Sequence, residues 1–352
     1  MNFSRIAARA LTLVLSLSAV GLVAASVAGC PKSGGTFVVG PAPVGAPVDV
    51  DGDAASLMPA GTLMAGYLAV GQIANSTVGG DFVAISEKIL PFAAQIDFQV
   101  KRDLDHAYIG LYSFSGSDWF TVMRGSFKPD KIEAAAQQGL NTPYGTVVAS
   151  TYAGRKLYTV ANNGFCVLSP KTALFGTEAA IRRALDRIQA GTVKREMAPW
   201  MADWINQPGY AVLIASDVNK QSFGKTVTGY MPWIQGVQYV RLRGRFNPDG
   251  SFGASGALTY PDEAKAQAAA NGLDGLKKSF VFMSMLKFIG IDPLVRNLTG
   301  QAAGKDAQFQ VVLDEKQMRQ LIGVLGGWAA GGVPTVPPPS SSPPPAGTGT
   351  NI

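Results

Sequence analysis

Residues 107–133 read AYIGLYSFSGSDWFTVMRGSFKPDKIE, and this stretch decides the fold class. It contains two apolar, β-prone runs, Ala107 to Phe114 and Trp119 to Phe127, separated by a turn of serine, glycine and aspartate. Such a pattern predicts a β-hairpin. Pro129 then opens a helix with Asp130 and Glu133 in its first turn, where acidic side chains suit the positive end of the helix dipole. A hairpin followed directly by a helix indicates an α+β fold.

The chain continues with a second pair of strands and a second helix. Lys156 to Val160 and Gly164 to Leu168 form a predicted strand pair divided by an Asn-Asn-Gly turn. Thr177 is a helix cap, and the apolar residues that follow it share one helix face. They are Ile181, Leu185 and Ile188.

The same succession of patterns returns in the second half of the chain. Tyr239 to Phe246 and Ser251 to Tyr260 flank a tight turn, and Pro261-Asp262 opens the next helix. Pro129 and Pro261 are separated by the same number of residues as Phe120 and Phe252. Phe309 to Leu313 then precedes Asp314, which caps a helix with one apolar face, made by Met318, Leu321, Ile322 and Leu325.

This repetition predicts two related α+β halves, residues 57–198 and 199–328, each an antiparallel sheet with helices packed on one face. The arrangement resembles uncharacterised bacterial lipoproteins that carry a duplicated α+β region. The resemblance covers most of the chain and implies residence outside the cytoplasm. It brings no activity, catalytic residue or cofactor.

Composition limits the classes of function. Apolar residues make up 47% of the 352 residues and charged residues 15%, with no long continuous run of apolar residues beyond the N-terminal segment, which excludes a multi-pass membrane protein. The net charge of +6 includes Arg5 and Arg9 of that segment. The other basic residues are scattered apart from short clusters such as Arg182-Arg183 and Arg241 to Arg245, so we expect no nucleic-acid partner.

The N-terminus predicts the location of the protein. Met1 to Arg9 is basic, Ala10 to Val23 is almost wholly apolar, and Ala24 to Gly29 consists mainly of small residues, which is the layout of a secretory signal. Val27-Ala28-Gly29-Cys30 resembles the lipobox of bacterial lipoproteins. That resemblance implies a signal peptide over residues 1–29, cleavage between Gly29 and Cys30, and acyl chains on Cys30 that hold the protein to a lipid bilayer.

Two alternatives to the lipobox are an uncleaved helical anchor and an ordinary secretion signal, neither of which requires a cysteine after the small residues. Pro31 stands where lipoproteins retained in the inner membrane of two-membrane bacteria typically have aspartate. The outer membrane is therefore favoured if the host has two membranes.

Both ends of the mature chain have the composition of linkers. Residues 30–56 are rich in glycine and proline and predict a flexible tether, in which Asp49, Asp51 and Asp53 resemble the opening of a calcium loop. Ala60 stands where such a loop needs a bidentate acid, so we expect a solvated linker instead. Residues 329–352, with their Pro-Pro-Pro-Ser-Ser-Ser-Pro-Pro-Pro run, predict a disordered or polyproline II tail.

Two residues invite chemical hypotheses. His106, the single histidine, lies beside Asp103 and Asp105, but a structural zinc site needs four ligands, so a surface or strand-edge role is favoured over a metal site. Cys166 is the only thiol left once Cys30 is acylated, and it lies in an apolar run. We expect it to be a buried small hydrophobic residue, with an intermolecular disulfide as the alternative.

The most apolar segment after the signal runs from Phe280 to Ile291. It is too short and too close to lysines to span a bilayer, and it predicts either a core helix or one wall of an apolar groove for a lipid. The groove residues would be Phe280, Phe282, Met285, Phe288 and Ile289.

Familiar catalytic motifs are absent from the sequence. It contains no Gly-x-Ser-x-Gly elbow, phosphate-binding loop, dinucleotide fingerprint or His-Glu-x-x-His pair. The leading hypothesis is a non-enzymatic envelope lipoprotein that binds an envelope protein or has a structural part, without cofactor or metal. A carrier of a hydrophobic ligand is the alternative, and a hydrolase with a carboxylate-only site ranks third.

Overall fold

The structure is a computed structural model that describes residues 45–89, 94–114, 118–139, 141–142, 145–221, 228, 232–278 and 292–329. The predicted signal peptide, Cys30, the groove segment Phe280 to Ile291 and the tail from residue 330 lie outside the described residues.

Most of the strands belong to one antiparallel sheet, while β4 and β5 form a separate short hairpin. In chain order the strands are β1 (Met64–Leu68), β2 (Leu104–Leu111), β3 (Trp119–Gly125), β4 (Asn141–Thr142), β5 (Gly145–Thr146), β6 (Val148–Tyr152), β7 (Arg155–Val160), β8 (Asn163–Ser169), β9 (Thr172–Thr177), β10 (Val212–Asp217), β11 (Tyr239–Phe246), β12 (Phe252–Thr259), β13 (Thr299–Ala303) and β14 (Asp306–Leu313).

The described α-helices lie singly or in groups among these strands along the chain. They are α1 (Val70–Ala74), α2 (Gly79–Ile89), α3 (Val100–Asp103), α4 (Pro129–Gln137), α5 (Glu178–Gln189), α6 (Pro199–Ile205), α7 (Glu263–Leu276), α8 (Asp292–Arg296) and α9 (Glu315–Ala329). Short 3₁₀ turns cover Ala54–Leu57, Ala94–Ile96, Val218–Lys220 and Pro232–Ile234.

The α+β fold with antiparallel pairing is confirmed, but the halves share one 12-stranded sheet instead of forming two. Its order is β13-β14-β12-β11-β10-β1-β2-β3-β9-β8-β7-β6. The pairing of β1 with β10, for example Gly66 opposite Ile214, joins the two series. From that junction the order runs β1-β2-β3-β9-β8 on one side and β10-β11-β12-β14-β13 on the other, so the two series have the same topology. Descent from one duplicated unit stays a prediction.

Helices lie on both faces of the sheet, which corrects the expectation of one covered face. The front face, with Ile109, Phe165 and Ile214, packs against α1 to α4. The back face, with Phe120 and Cys166, packs against α5 and α6. Successive side chains of a strand point to opposite faces, and β3 is buried at almost every position, so its two faces both need a cover. An amphipathic helix pattern does not reveal which face of a sheet the helix will cover.

The last helix of each series lies on a different face. On α5, Ile181 and Leu185 pack with Leu174 of the back face. On α9, Met318 and Leu321 pack with apolar front-face residues of β14. The back face of β11, β12, β14 and β13 consequently has no described helix over it.

Residues 45–57, which we call the N-terminal strap, pack on the body, so the predicted tether is wrong for residues 45–56. Gly45 N donates a hydrogen bond to Gln189 O over 2.8 Å, and Val50 and Leu57 belong to the back-face core. The three aspartates of the strap bind protein groups close to them in space but mostly distant in sequence. Composition alone predicted a linker because those partners cannot be read from the segment itself.

Candidate functional site

Asp103 and His106, two of the three residues of the hypothetical metal site, have other surroundings. Asp103 forms an ion pair with Arg102, with Oδ2 2.6 Å from Nη2, and accepts a hydrogen bond from Gln99 N. The His106 ring lies on the back face with its centroid 5.7 Å from those of Tyr67 and Tyr108. Burial, followed by the charge of Arg124, lowers the pKa of His106. Within the described ranges no cluster of three potential metal ligands occurs.

Cys166 is fully buried, as predicted. Burial raises the pKa of its thiol to about 12, so the sulfur remains protonated at physiological pH. A protonated, inaccessible thiol is a poor nucleophile. Cys166 is therefore a packing residue beneath α5.

The aspartates of the strap are occupied by neighbouring donors. Asp51 accepts hydrogen bonds from Ser169 and Thr172, and these two contacts are the main reason that its pKa lies below the usual 3.8. Asp53 caps a 3₁₀ turn and forms an ion pair with Arg195, with 2.5 Å between Oδ2 and Nε. The carboxylates serve to fasten the strap.

A small apolar cavity lies on the front face under α4. Its volume is about 30 Å³, and its lining includes Ile132, Tyr158, Phe165 and Phe175. This is the space of roughly one or two water molecules, far below that of an acyl chain. The groove residues Phe280, Phe282, Met285, Phe288 and Ile289 lie outside the described residues, so the groove stays a prediction.

The back face of the second series is polar where that of the first is apolar. In the first series Phe120, Leu174 and Cys166 are completely buried under α5. In the second series the corresponding strands β12 and β14 have mainly small or polar residues on this face, and β11, which corresponds to β2, adds a row of arginines. The back-face residues are Tyr239, Arg241, Arg243 and Arg245 on β11, Gly253, Ser255, Ala257 and Thr259 on β12, and Asp306, Gln308, Gln310 and Val312 on β14.

Helix α6 forms one wall of this surface. Trp204 of α6 is fixed by a 3.0 Å hydrogen bond from its Nε1 to Leu242 O. The guanidinium carbon of Arg241 lies 5.7 Å from the Trp204 ring centroid, and that of Arg243 lies 5.9 Å from it and 5.3 Å from the Tyr210 ring. Cation–π contacts of this kind orient the arginines without neutralising them. Trp200 similarly packs edge-on against Tyr239, at 5.1 Å between centroids.

We call the surface formed by Arg241, Arg243, Arg245, Trp204, Tyr210, Ser255, Gln308 and Gln310 the arginine face. One of its cations has an acidic partner, because Arg241 Nη2 lies 2.7 Å from Asp306 Oδ2. Arg243 donates from Nε to Ser255 Oγ over 3.2 Å. Among the described residues, no ion pair within 4 Å joins Arg243 or Arg245 to an Asp or Glu. The face therefore has an excess of positive charge.

The arginine face has groups suited to binding anions and amides. Guanidinium groups donate paired hydrogen bonds to carboxylates and phosphates, and the amides of Gln308 and Gln310 both donate and accept. Val312, which is 54% exposed, adds an apolar contact beside them. The sequence alone indicates Arg241 to Arg245 only as a basic cluster. The strict alternation of arginine along a β-run was the signal that places the three on one face.

Within the part of the chain that the structure describes, no helix combines the length and the apolar character needed to cross a bilayer.

Comparisons with known proteins yield structural neighbours only. No protein-family model and no curated protein matches the chain. Crystal form III of TP0453 is 12% identical, covering 77% of this chain and 97% of that one, with a TM-score of 0.48. Crystal form IV is 11% identical with coverages of 76% and 95% and a TM-score of 0.47, and form I is 12% identical with coverages of 78% and 96% and a TM-score of 0.45. Likeness at this level carries no information on function.

Proposed function

We propose that the chain is a lipid-anchored, non-enzymatic protein of the bacterial cell envelope that binds a partner on the arginine face. The anchor is Cys30, supported by the basic, apolar and small-residue order of residues 1–29. Pro31 favours the outer membrane where two membranes exist.

One observation carries the binding role: the back face is apolar and covered by α5 in the first series, but cationic and free of described helices in the second. The solvated face of an antiparallel sheet is commonly polar, so what supports a binding role here is the excess of positive charge beside aromatic rings. Arg245 is exposed and Arg241, Arg243, Trp204 and Tyr210 are half-buried, and arginine, tryptophan and tyrosine are the residue types that dominate binding interfaces.

The anchor is tested by labelling growing cells with radioactive palmitate. Wild type and Cys166→Ala should incorporate label, because Cys166 is buried in the body, while Cys30→Ala should lose the label and accumulate as the uncleaved precursor. Label retained by Cys30→Ala would overturn the anchor.

The binding face is tested by photo-crosslinking in intact cells. A benzophenone amino acid at Gln310 should give a discrete adduct, whereas the same group at the exposed Gln267 of α7 should not. The adduct should disappear when Arg243 and Arg245 are both changed to Gln. An absent adduct at Gln310, or one independent of the arginines, would contradict the proposed role.

The alternative proposal, a carrier of a hydrophobic ligand, depends on the apolar segment from Phe280 to Ile291. Native mass spectrometry of the purified mature chain distinguishes the two functions. A stoichiometric small molecule released on activation favours the carrier, and a mass equal to that of the lipidated chain alone counts against it.

A further inference from the structure

We infer that the partner of the arginine face is an extended protein segment with acidic side chains at alternate positions. This inference rests on the proposed function, and it adds the chemical identity of the occupant.

The sequence excludes an acidic segment of the chain itself as the occupant. All 24 Asp and Glu residues belong to the described ranges, and none of them forms an ion pair with Arg243 or Arg245 there. The residues outside those ranges have only neutral and basic side chains, among them Lys32, Lys225 and Lys287. These segments therefore offer no acidic side chain to Arg243 or Arg245, which favours a separate molecule as the source of the complementary charge.

The spacing of the arginines fits an extended peptide. Arg241, Arg243 and Arg245 alternate on one strand, so successive guanidinium groups start from backbone positions about 6.6–6.8 Å apart. Acidic residues two positions apart in an extended peptide have the same spacing and point to the same side. A carboxylate accepts two parallel hydrogen bonds from one guanidinium, which makes such a match directional as well as electrostatic.

The geometry of Arg243 prepares it for this contact. Its guanidinium lies near two aromatic rings, and its Nε is held by Ser255. Side chains that are fixed before binding lose less conformational entropy when the partner arrives. The exposed Arg245 extends the same row toward solvent.

The polar side chains of β13 and β14 beside the arginines favour a protein as the partner over a membrane surface. Gln308 and Gln310 occupy alternate back-face positions of β14, with Gln301 and Thr299 opposite them on β13. These side chains both donate and accept hydrogen bonds, and a peptide backbone matches both with its C=O and N–H groups, whereas lipid phosphates only accept. Arginine and aromatic residues are also enriched at protein interfaces relative to other surfaces.

The test uses the full lipidated chain in detergent micelles and fluorescence anisotropy. The probe is a labelled peptide in which glutamate and threonine alternate, and the comparison peptide has the same composition with its glutamates in one block. We expect the alternating peptide to bind more tightly and to be released by salt. Changing Arg243 and Arg245 to Gln together should weaken binding about tenfold or more, since hydrogen bonds to charged groups are the strong ones.

Arg296→Gln is the control for the loss of a surface cation, because this exposed arginine of α8 is not part of the arginine face; it removes one positive charge where the double variant removes two. Thermal unfolding followed by circular dichroism checks that both variants remain folded. Equal affinity for the two peptides would overturn the spacing argument, and unchanged binding by the double variant would overturn the face. Binding of phosphatidylglycerol vesicles that requires Arg243 and Arg245, without peptide binding, would replace the protein partner by a lipid surface.

The peptide-binding results and the crosslinking results test different claims. If the crosslink at Gln310 persists in cells while neither peptide binds, only the inferred chemistry of the partner is wrong. If the crosslink itself is absent, the binding role of the face is wrong.

Discussion

Replacing Arg124 by methionine should release the N-terminal strap from the body. The Arg124 side chain is 9% exposed, and it donates from Nη1 to Val50 O over 2.9 Å and from Nη2 to Gly52 O over 2.8 Å. It also contacts Thr172 and lies 3.5 Å from the carboxylate of Asp51. Methionine fills part of the space but makes none of these hydrogen bonds.

The expected cost follows from these contacts. Each hydrogen bond from a charged group contributes about 1.5–3 kcal/mol, and desolvation of the guanidinium offsets part of the sum. We therefore expect Arg124→Met to lower the free energy of unfolding by about 3 kcal/mol. Asp51→Asn should cost about 1 kcal/mol or less, because Asp51 is 39% exposed and its ion pair is screened by solvent.

The assay is urea unfolding followed by tryptophan fluorescence, with linear extrapolation to water. Hydrogen exchange of the amides of residues 45–57 should accelerate in Arg124→Met before the sheet itself is affected. Arg296→Met, at a side chain that is 60% exposed, should change stability by less than about 0.5 kcal/mol. A loss below about 1 kcal/mol in Arg124→Met, with unchanged exchange in the strap, would refute the reasoning.

Three further predictions concern single groups. Hydrogen bonds hold the pKa of the Asp51 carboxyl below 3.8, so its contribution to stability is complete above pH 3.8 and is lost as the pH falls below that value. Asp51→Asn should therefore show a smaller acid-induced loss of stability than wild type. Parallel losses in the two proteins would contradict this. Cys166 should resist maleimide in the folded protein and react fully in urea, and rapid native labelling would disprove its burial. Gly256→Ala should lower the free energy of unfolding by about 1–3 kcal/mol, because its new Cβ would collide with the carbonyl oxygen of Arg241. Gly275→Ala in α7, which has open space around it, should raise the free energy of unfolding by about 0.5–1 kcal/mol. Similar effects at both sites would contradict the packing.

Local patterns were enough to predict the hairpins and the helices that follow them. The first hairpin, β2 with β3, lies where alternation and the serine-glycine turn indicated, and α4 begins at Pro129. In the second series α7 follows Asp262, whose side chain accepts a hydrogen bond from Lys265 N as a helix cap should. Turn residues, caps and periodicity act over a few positions, so the sequence displays them directly.

The joining of the two series was not predictable in the same way. Neither β1 nor β10 was assigned as a strand, because Met64 to Leu68 and Val212 to Ser216 are buried almost throughout and lack polar alternation. Their pairing connects parts of the chain that are far apart in sequence. A continuous sheet is therefore visible only in three dimensions.

The candidate site was predictable in composition but not in position. The row Arg241, Arg243 and Arg245 was evident as a basic cluster, yet its exposure depends on α9 covering the front face while α5 covers the back. The apolar side of helix α9 is equally suited to packing on the front face or on the back face of the sheet. Which face it covers is decided by its contacts with β14 and α2, and these are long-range.

The central place of β1 has a consequence for how the protein is made. This strand is synthesised first, but one of its edges pairs with β10, which leaves the ribosome much later. Until then the edge presents unpaired amide and carbonyl groups that attract other unfinished chains. Completion of the fold must wait for a slow contact between distant segments, so a nascent polypeptide of this kind needs a chaperone or rapid delivery to its destination.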